Sequence, residues 1–169
     1  MRKKTVFGVK SSTQYLVKCF DKDGNLKWQE GFHNSVVTAG LNKLLDATFS
    51  TGYAVPLWYV GLKNSAAGIL AANTMSSHAG WTEGTPYSNA TRSQFVPGAI
   101  SSGIVSNAAS VATFLINNTD TIYGAFLVND NTKGGTLGTL YGVGDFVTPR
   151  AVITGDTLEI TVIITQTAT

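Results

Sequence analysis

The chain has 169 residues, of which 43% are hydrophobic and only 13% charged, and its formal net charge is +2. This length suits a single domain with one core, and the charged fraction is about half of the usual ~25%, so the surface is rich in hydroxyl and amide groups. Such a surface costs less free energy to bury against another protein than a charged surface does, and this indicates a component of an assembly. No segment approaches the roughly 18 consecutive apolar residues of a membrane-spanning helix.

The basic residues are concentrated near the N terminus. The first thirty residues contain seven Lys and Arg against three acids, whereas the remainder contains five against seven. Arg2, Lys3, Lys4 and Lys10 make residues 1–10 a candidate basic arm, which would attract an acidic protein or nucleic acid. No basic run is interleaved with aromatic residues as in single-strand binders, so we expect no specific nucleic-acid partner.

The first elements in chain order are a hairpin and a helix. "QYLVKCFD" and "LKWQEGF" predict two strands joined at Asp23-Gly24. Cys19 lies in the first of these strands and is expected to be a small buried apolar side chain, since a single cysteine cannot form an internal disulfide. "TAGLNKLLDATF" predicts a helix over 38–49, with Thr38 as its N-cap. The spacing of its apolar residues predicts a core-facing stripe of Leu41, Leu44, Leu45 and Thr48.

The rest of the chain has the pattern of short strands. "VPLWYVGLK" (55–63) and "TIYGAFLVN" are rich in branched and aromatic residues, and "NDNTKGGT" predicts a hairpin loop. After a Gly155-Asp156 turn, the final strand alternates, with Leu158, Ile160, Val162 and Ile164 on one face. Eight to ten strands with one early helix predict an all-β fold, an antiparallel β-sandwich of jelly-roll type, in a single domain over 1–169.

The segment "NTMSSHAGWTE" (73–83) has the residue types of an active site. His78 with Ser76 or Ser77 would suit nucleophilic catalysis, but there is no G-x-S-x-G elbow to present a serine. A structural interpretation accounts for each residue: Asn73 or Thr74 caps one helical turn through "MSSH", and Gly80 ends it. It predicts that Trp81 is buried at the start of the next strand, and that His78 hydrogen-bonds to the backbone.

The carboxylates and possible metal ligands give weaker signals. Glu83, Asp145 and Asp156 are candidates for a glycosidase pair, but turn and capping roles explain them better. One Cys and two distant His residues cannot form a structural zinc site, and "DKDGN" (21–25) is better explained by a hairpin turn than by a calcium loop. We therefore predict no catalytic, cofactor-binding or metal-binding residues and no enzymatic activity.

The three tryptophans offer a carbohydrate-binding alternative. Trp28, Trp58 and Trp81, with the six tyrosines, could supply a stacking platform for sugars on a β-sandwich. Trp58 alternates with its neighbours as a core residue does, so core packing is favoured there, and less decisively for Trp81.

Several motifs occur in a recognisable order along residues 55–165. "PLWYVGL" is followed by "NTMSSHAGWTE", "YSNATR", "IYGAFLVNDNTKGGTLGTLYG" and "GDTLEITVIIT". Together they resemble a family of small virion structural proteins of tailed bacteriophages, with His78, Trp81 and Glu83 as the structural loop marker. No single motif is decisive, but their order makes chance resemblance improbable.

The resemblance implies a non-enzymatic virion protein without a cofactor. A capsid cement or decoration protein is favoured because the sequence shows a compact domain without heptads or long repeats. Its partners would be the major capsid protein and further copies of itself, as dimers or trimers, with the arm at residues 1–10 reaching the shell. It would be made in the host cytoplasm and located on the virion, on the capsid surface in preference to the tail. The alternative is a tail or baseplate component that contacts host glycans through Trp81 or tyrosines.

Overall fold

A computed structural model describes residues 8–66 and 68–169 of the chain. These residues form one helix and ten strands. In chain order they are β1 (Val9–Phe20), β2 (Leu26–Val36), α1 (Thr38–Phe49), β3 (Trp58–Lys63), β4 (Glu83–Gly84), β5 (Ser93–Phe95), β6 (Ile104–Ser106), β7 (Ala112–Leu115), β8 (Asp120–Val128), β9 (Leu140–Val152) and β10 (Thr157–Ala168).

The strands pair in one antiparallel sheet that folds at β2. Its order is β4-β3-β8-β9-β2-β1-β10-β6, while β5 pairs with β3 and β7 pairs with β10. Most of β2 pairs with β1, but its last residues, Ser35 and Val36, pair with Val143 and Gly142 of β9. A strand that changes partner along its length joins two halves at a corner. The predicted all-β, antiparallel, sandwich-like class with a helix over 38–49 is therefore confirmed.

Glycines with positive φ lie at two of the turns that the sequence predicts. The β1–β2 hairpin turn contains Gly24 with φ of +83°. The turn that connects β9 to β10, two strands that pair with other partners, contains Gly155 with φ of +96°. Asp21 fixes the first turn by accepting hydrogen bonds from the backbone N–H groups of Asp23 and Asn25, both at 2.9 Å. The "DKDGN" segment is therefore a hairpin turn held by its own aspartate.

The main core lies between the two halves of the sheet, and a second cluster covers the opposite face of the β8–β9 half. The alternating residues of β10 that were predicted to face inward do so, with Leu158, Ile160 and Val162 fully buried. In β8, Ala125 and Leu127 contribute to the main core, whereas Phe126 and Val128 contribute to the second cluster. The unbroken apolar run of β8 thus reflects burial on both faces.

The helix packs through a different face from the predicted one. Gly40 is its one buried residue among those described, and a Cβ there would lie 2.2 Å from the Tyr141 carbonyl oxygen. Leu44 packs against the main core, but Leu41 and Leu45 are exposed. The prediction is confirmed for Leu44 and wrong for Leu41, Leu45 and the exposed Thr48, because the apolar periodicity cannot show that glycine permits the closest approach to β9. Thr38 is also not the N-cap; Val37 holds that position without a side-chain cap.

The structure bears only on part of the candidate basic arm. Arg2, Lys3 and Lys4 lie outside the described residues. Lys10, which was assigned to the arm, belongs to β1 and pairs with Thr167 of β10. An arm therefore has to end before Gly8, whose backbone exchanges hydrogen bonds with Thr169. No helix among the described residues is long and apolar enough to cross a bilayer.

Candidate functional site

The marker segment 73–83 packs against the outer face of the β8–β9 half of the sheet. Met75 and Trp81 are buried there with Phe126, Val128 and Leu140. Thr74 and Ser77 exchange two backbone hydrogen bonds of 3.0 and 3.2 Å, so residues 74–77 form a tight β-turn. The predicted helical turn through "MSSH" is therefore wrong, because four residues closed by this bridge cannot also form the i to i+4 bond of a helix.

His78 and Trp81 confirm the structural interpretation of the segment. Trp81 is 2% exposed, and the His78 ring stacks on it with ring centroids 3.9 Å apart. His78 Nδ1 lies 2.8 Å from the carbonyl oxygen of Trp81, within the same turn. Gly80 has a φ of +95°, a conformation that glycine adopts readily, but there is no helical turn for it to end. The imidazole thus binds the turn that contains it.

A buried lysine lies beneath the same tryptophan. Lys63, at the end of β3, has no exposed surface, and its ammonium lies 5.7 Å from the centroid of the Trp81 ring. The ammonium forms an ion pair with Asp145 of β9, whose side chain is partly exposed. A buried cation requires such partners, because desolvation of an unpaired charge is very costly.

Glu83 and Arg92 form the centre of a buried polar network. Arg92 is 1% exposed, and its Nε and Nη2 atoms donate to the Glu83 carboxylate at 3.1, 3.2 and 2.7 Å. The same guanidinium donates to the carbonyl oxygens of Asp130 and Gly135, at 2.9 and 2.6 Å. Arg92 therefore joins the marker segment to the β8–β9 hairpin loop through the planar, bidentate geometry typical of arginine.

Two further donors complete the coordination of Glu83. The Tyr87 hydroxyl donates to Oε1 at 3.1 Å, and the Gly134 backbone N–H donates to Oε2 at 2.8 Å. Burial, with the neighbouring Glu83 charge, raises the pKa of Tyr87 well above its usual range, so the phenol remains a donor. The Glu83 carboxylate is thus saturated by groups of the chain itself.

The three carboxylates considered for glycoside hydrolysis are held by three different cations. Glu83 pairs with Arg92, Asp145 with Lys63, and Asp156 with Lys27 at 2.6 Å. Asp156 is buried at the β9–β10 turn and also accepts hydrogen bonds from Cys19 Sγ at 3.6 Å and from the Ile153 backbone at 2.9 Å. The arrangement suits cross-linking of strands, and no two of the three share a cation.

Cys19 is buried, as predicted, and its thiol also forms a hydrogen bond. Its thiol donates to the Asp156 carboxylate, and burial together with that carboxylate raises the pKa of Cys19 to about 12. A thiol held protonated in this way is a poor nucleophile. Within the described residues, no cluster of three or more His, Cys, Asp or Glu side chains could hold a metal ion.

The tryptophans occupy three separate environments. Trp81 is buried, Trp28 packs edge-on against Phe146, and Trp58 packs edge-on against Tyr141 beside the main core. The core-packing prediction for Trp58 is confirmed in its contacts, although the side chain is only half-buried. In the described part of the chain the three rings make no ring contact with one another.

Sequence reasoning identified Glu83 but not its function as an anchor. Tyr87 and Arg92 belong to the "YSNATR" motif, and their spacing from Glu83 contained no indication that the three would meet. The one available signal was that Arg92 follows Glu83 by nine residues in a chain that has few charges.

Comparisons with protein-family models, with curated proteins and with solved structures each gave no match.

Proposed function

We propose that the chain is a non-enzymatic structural protein of a phage virion, and that it acts as a cement protein on the outer surface of the capsid. Its partner would be the major capsid protein, with self-association as dimers or trimers. The order of motifs along residues 55–165 supports the virion assignment, and the properties of the surface support the role in assembly.

The observation that carries the proposal is an apolar stripe on the outward face of α1. Leu41, Leu45 and Phe49 recur every four residues, and Phe49 is 79% exposed. Leu70 is also exposed, and the backbone of the adjacent Ala71 accepts the N–H of Thr38 at the start of the helix. We call Leu41, Leu45 and Phe49 the outward stripe. Large apolar side chains in a contiguous exposed row are typical of a surface that another protein covers.

The internal bonding of the polar residues is consistent with the same role. His78 binds within its own turn, whereas Glu83, Lys63 and Arg92 bind residues of other segments. They fix the loops against the sheet and so provide a rigid body. A cement protein needs such rigidity, because it opposes the pressure of packaged DNA by bridging neighbouring subunits without any chemical step.

Immunogold labelling of virions in electron micrographs tests the location. We expect gold on the head and none on the tail. If the gold marks the tail tip and leaves the head bare, the cement proposal is wrong and the tail or baseplate alternative replaces it.

The stripe itself is tested by replacing Leu45 or Phe49 with serine and measuring how much of the chain is retained on purified capsids. Loss of one large buried side chain costs about 1.5 kcal/mol or more, so each replacement should weaken binding by roughly tenfold. Val147→Ser is the matched control, since Val147 is just as exposed but lies on β9. Equal retention of all three variants would exclude the stripe as the contact surface.

A further inference from the structure

An apolar, partly open cavity lies at the end of the sandwich, between α1, the 53–58 segment and residues 95–105. Its volume is about 350 Å³. Core side chains form its floor and the side chains of the loops form its rim. The principal lining residues are Leu44, Trp58, Phe95, Ile104, Leu127 and Ile164.

The size and lining of the cavity are unusual for space that only water fills. At about 30 Å³ per water molecule it has room for roughly ten, but a buried water needs two to four polar partners. Nearly all of the lining is hydrocarbon or aromatic, so water in this partly open cavity finds few polar partners on its walls. Cavities of 300–1,000 Å³ with such linings are typical of small-molecule sites, including those at the mouths of β-barrels.

The few polar side chains of the cavity lining differ in how well they are hydrogen-bonded. Tyr141 and Gln166 are already bonded to Ser11, at 3.2 and 2.9 Å. Lys43 is the one charged side chain among the described lining residues, and its ammonium lies 5.5 Å from the centroid of the Tyr53 ring. The described residues give this ammonium one hydrogen-bonding partner, Asp46 at 3.4 Å, which is a long contact for a charged pair.

The rim is also apolar and exposed. Val55 and Ile100 line the cavity, yet they are 79% and 78% exposed, and Ile104 is partly exposed beside them. An occupant that fills the cavity would also cover part of this rim. Hydrocarbon surface in the cavity and a cation on its lining are complementary to a molecule with an apolar tail and one negative charge.

We infer that the cavity binds a small amphiphile with an apolar tail and a single anionic head group, of the class of the medium-chain carboxylates. The tail lies between Trp58, Leu127 and Ile164, and the carboxylate lies at Lys43. This inference is independent of the virion role, because it rests on the cavity and its charge alone.

Isothermal titration calorimetry of the full chain with dodecanoate tests the inference. We expect saturable binding of one molecule per chain, with affinity about tenfold lower for decanoate, because two fewer methylene groups are buried. Ala47→Trp places a large ring in the cavity from α1 and should abolish binding. Asn42→Trp is the matched control, since it adds the same ring to an exposed position of the same helix that does not line the cavity.

The head group is tested with Lys43→Met and with 1-dodecanol as the uncharged ligand. Lys43→Met should weaken dodecanoate binding by about two- to fivefold, in the range of exposed ion pairs, and leave dodecanol binding unchanged. Absence of saturable binding to the folded chain, or wild-type affinity in Ala47→Trp, overturns the inference. So does light scattering that shows a dimer which Ala47→Trp dissociates, because a second copy would then occupy the cavity.

Discussion

Replacement of Arg92 should strongly destabilise the fold, because this fully buried charge joins Glu83 of the marker segment to the β8–β9 hairpin loop. Arg92→Met would leave the Glu83 carboxylate buried with only the Tyr87 hydroxyl and the Gly134 N–H as partners. Removing one member of a buried pair typically costs 3–5 kcal/mol, and the carbonyl oxygens of Asp130 and Gly135 lose a donor as well. Against a total stability of roughly 5–15 kcal/mol, this is a large fraction.

The measurement is urea unfolding at pH 7, followed by tryptophan fluorescence. Arg92→Lys keeps the charge without the planar fork and should cost about 1–3 kcal/mol, which gives a reading if Arg92→Met does not fold. The double variant Arg92→Met/Glu83→Gln should lose at least 1 kcal/mol less than the two single variants combined. Lys22→Met is the surface control, because Lys22 pairs with Asp23 in full solvent and should change little. Additive losses, or a cost below about 1 kcal/mol for Arg92→Met, would refute this account of the network.

Two further predictions concern the helix and the buried thiol. Gly40→Ala should destabilise the fold by about 1–3 kcal/mol, measured by thermal unfolding, because the new Cβ would clash with the Tyr141 backbone. This cost outweighs the higher helix propensity of alanine. Gly68→Ala is the control and should be near neutral, because the space around Gly68 is open. Cys19 stays protonated in the folded chain up to a pKa of about 12, whereas the unfolded thiol ionises near 8.5–9. Its contribution is therefore complete below about pH 8.5 and is lost as pH rises towards 12, by at most ~1.4 kcal/mol per pH unit. Urea unfolding of the reduced protein between pH 8.5 and 10 should show a shallower decline for Cys19→Ser than for the wild type, and equal declines would contradict the assignment.

Local patterns were sufficient for the strands and their turns. The period-two alternation in β10 and the Asp23-Gly24 and Gly155-Asp156 signals have causes within a few residues, so the sequence alone predicted them. The backbone contact of His78 was also predictable, since His78 and Trp81 belong to one short turn, and the burial of Trp81 followed from its large apolar ring. The helix over 38–49 followed from its periodicity for the same reason.

Features that depend on distant residues were not predictable in this way. The apolar positions of α1 indicated that Leu41 and Leu45 are buried, but the helix packs on β9 through Gly40, which leaves the stripe exposed. Arg92 meets Asp130 and Gly135 across about forty residues, and Lys63 meets Asp145 across more than eighty. No short window contains these pairs.

The sequence by itself determined the all-β class, the places of the turns and the low-charge surface, because these follow from local backbone preference and composition. Only the tertiary structure decided which helix face is outward, which carboxylate binds which cation, and that a cavity remains at the end of the sandwich. Those outcomes depend on how two halves of a sheet close over one another, and that closure is set by long-range packing between strands that are far apart in the chain.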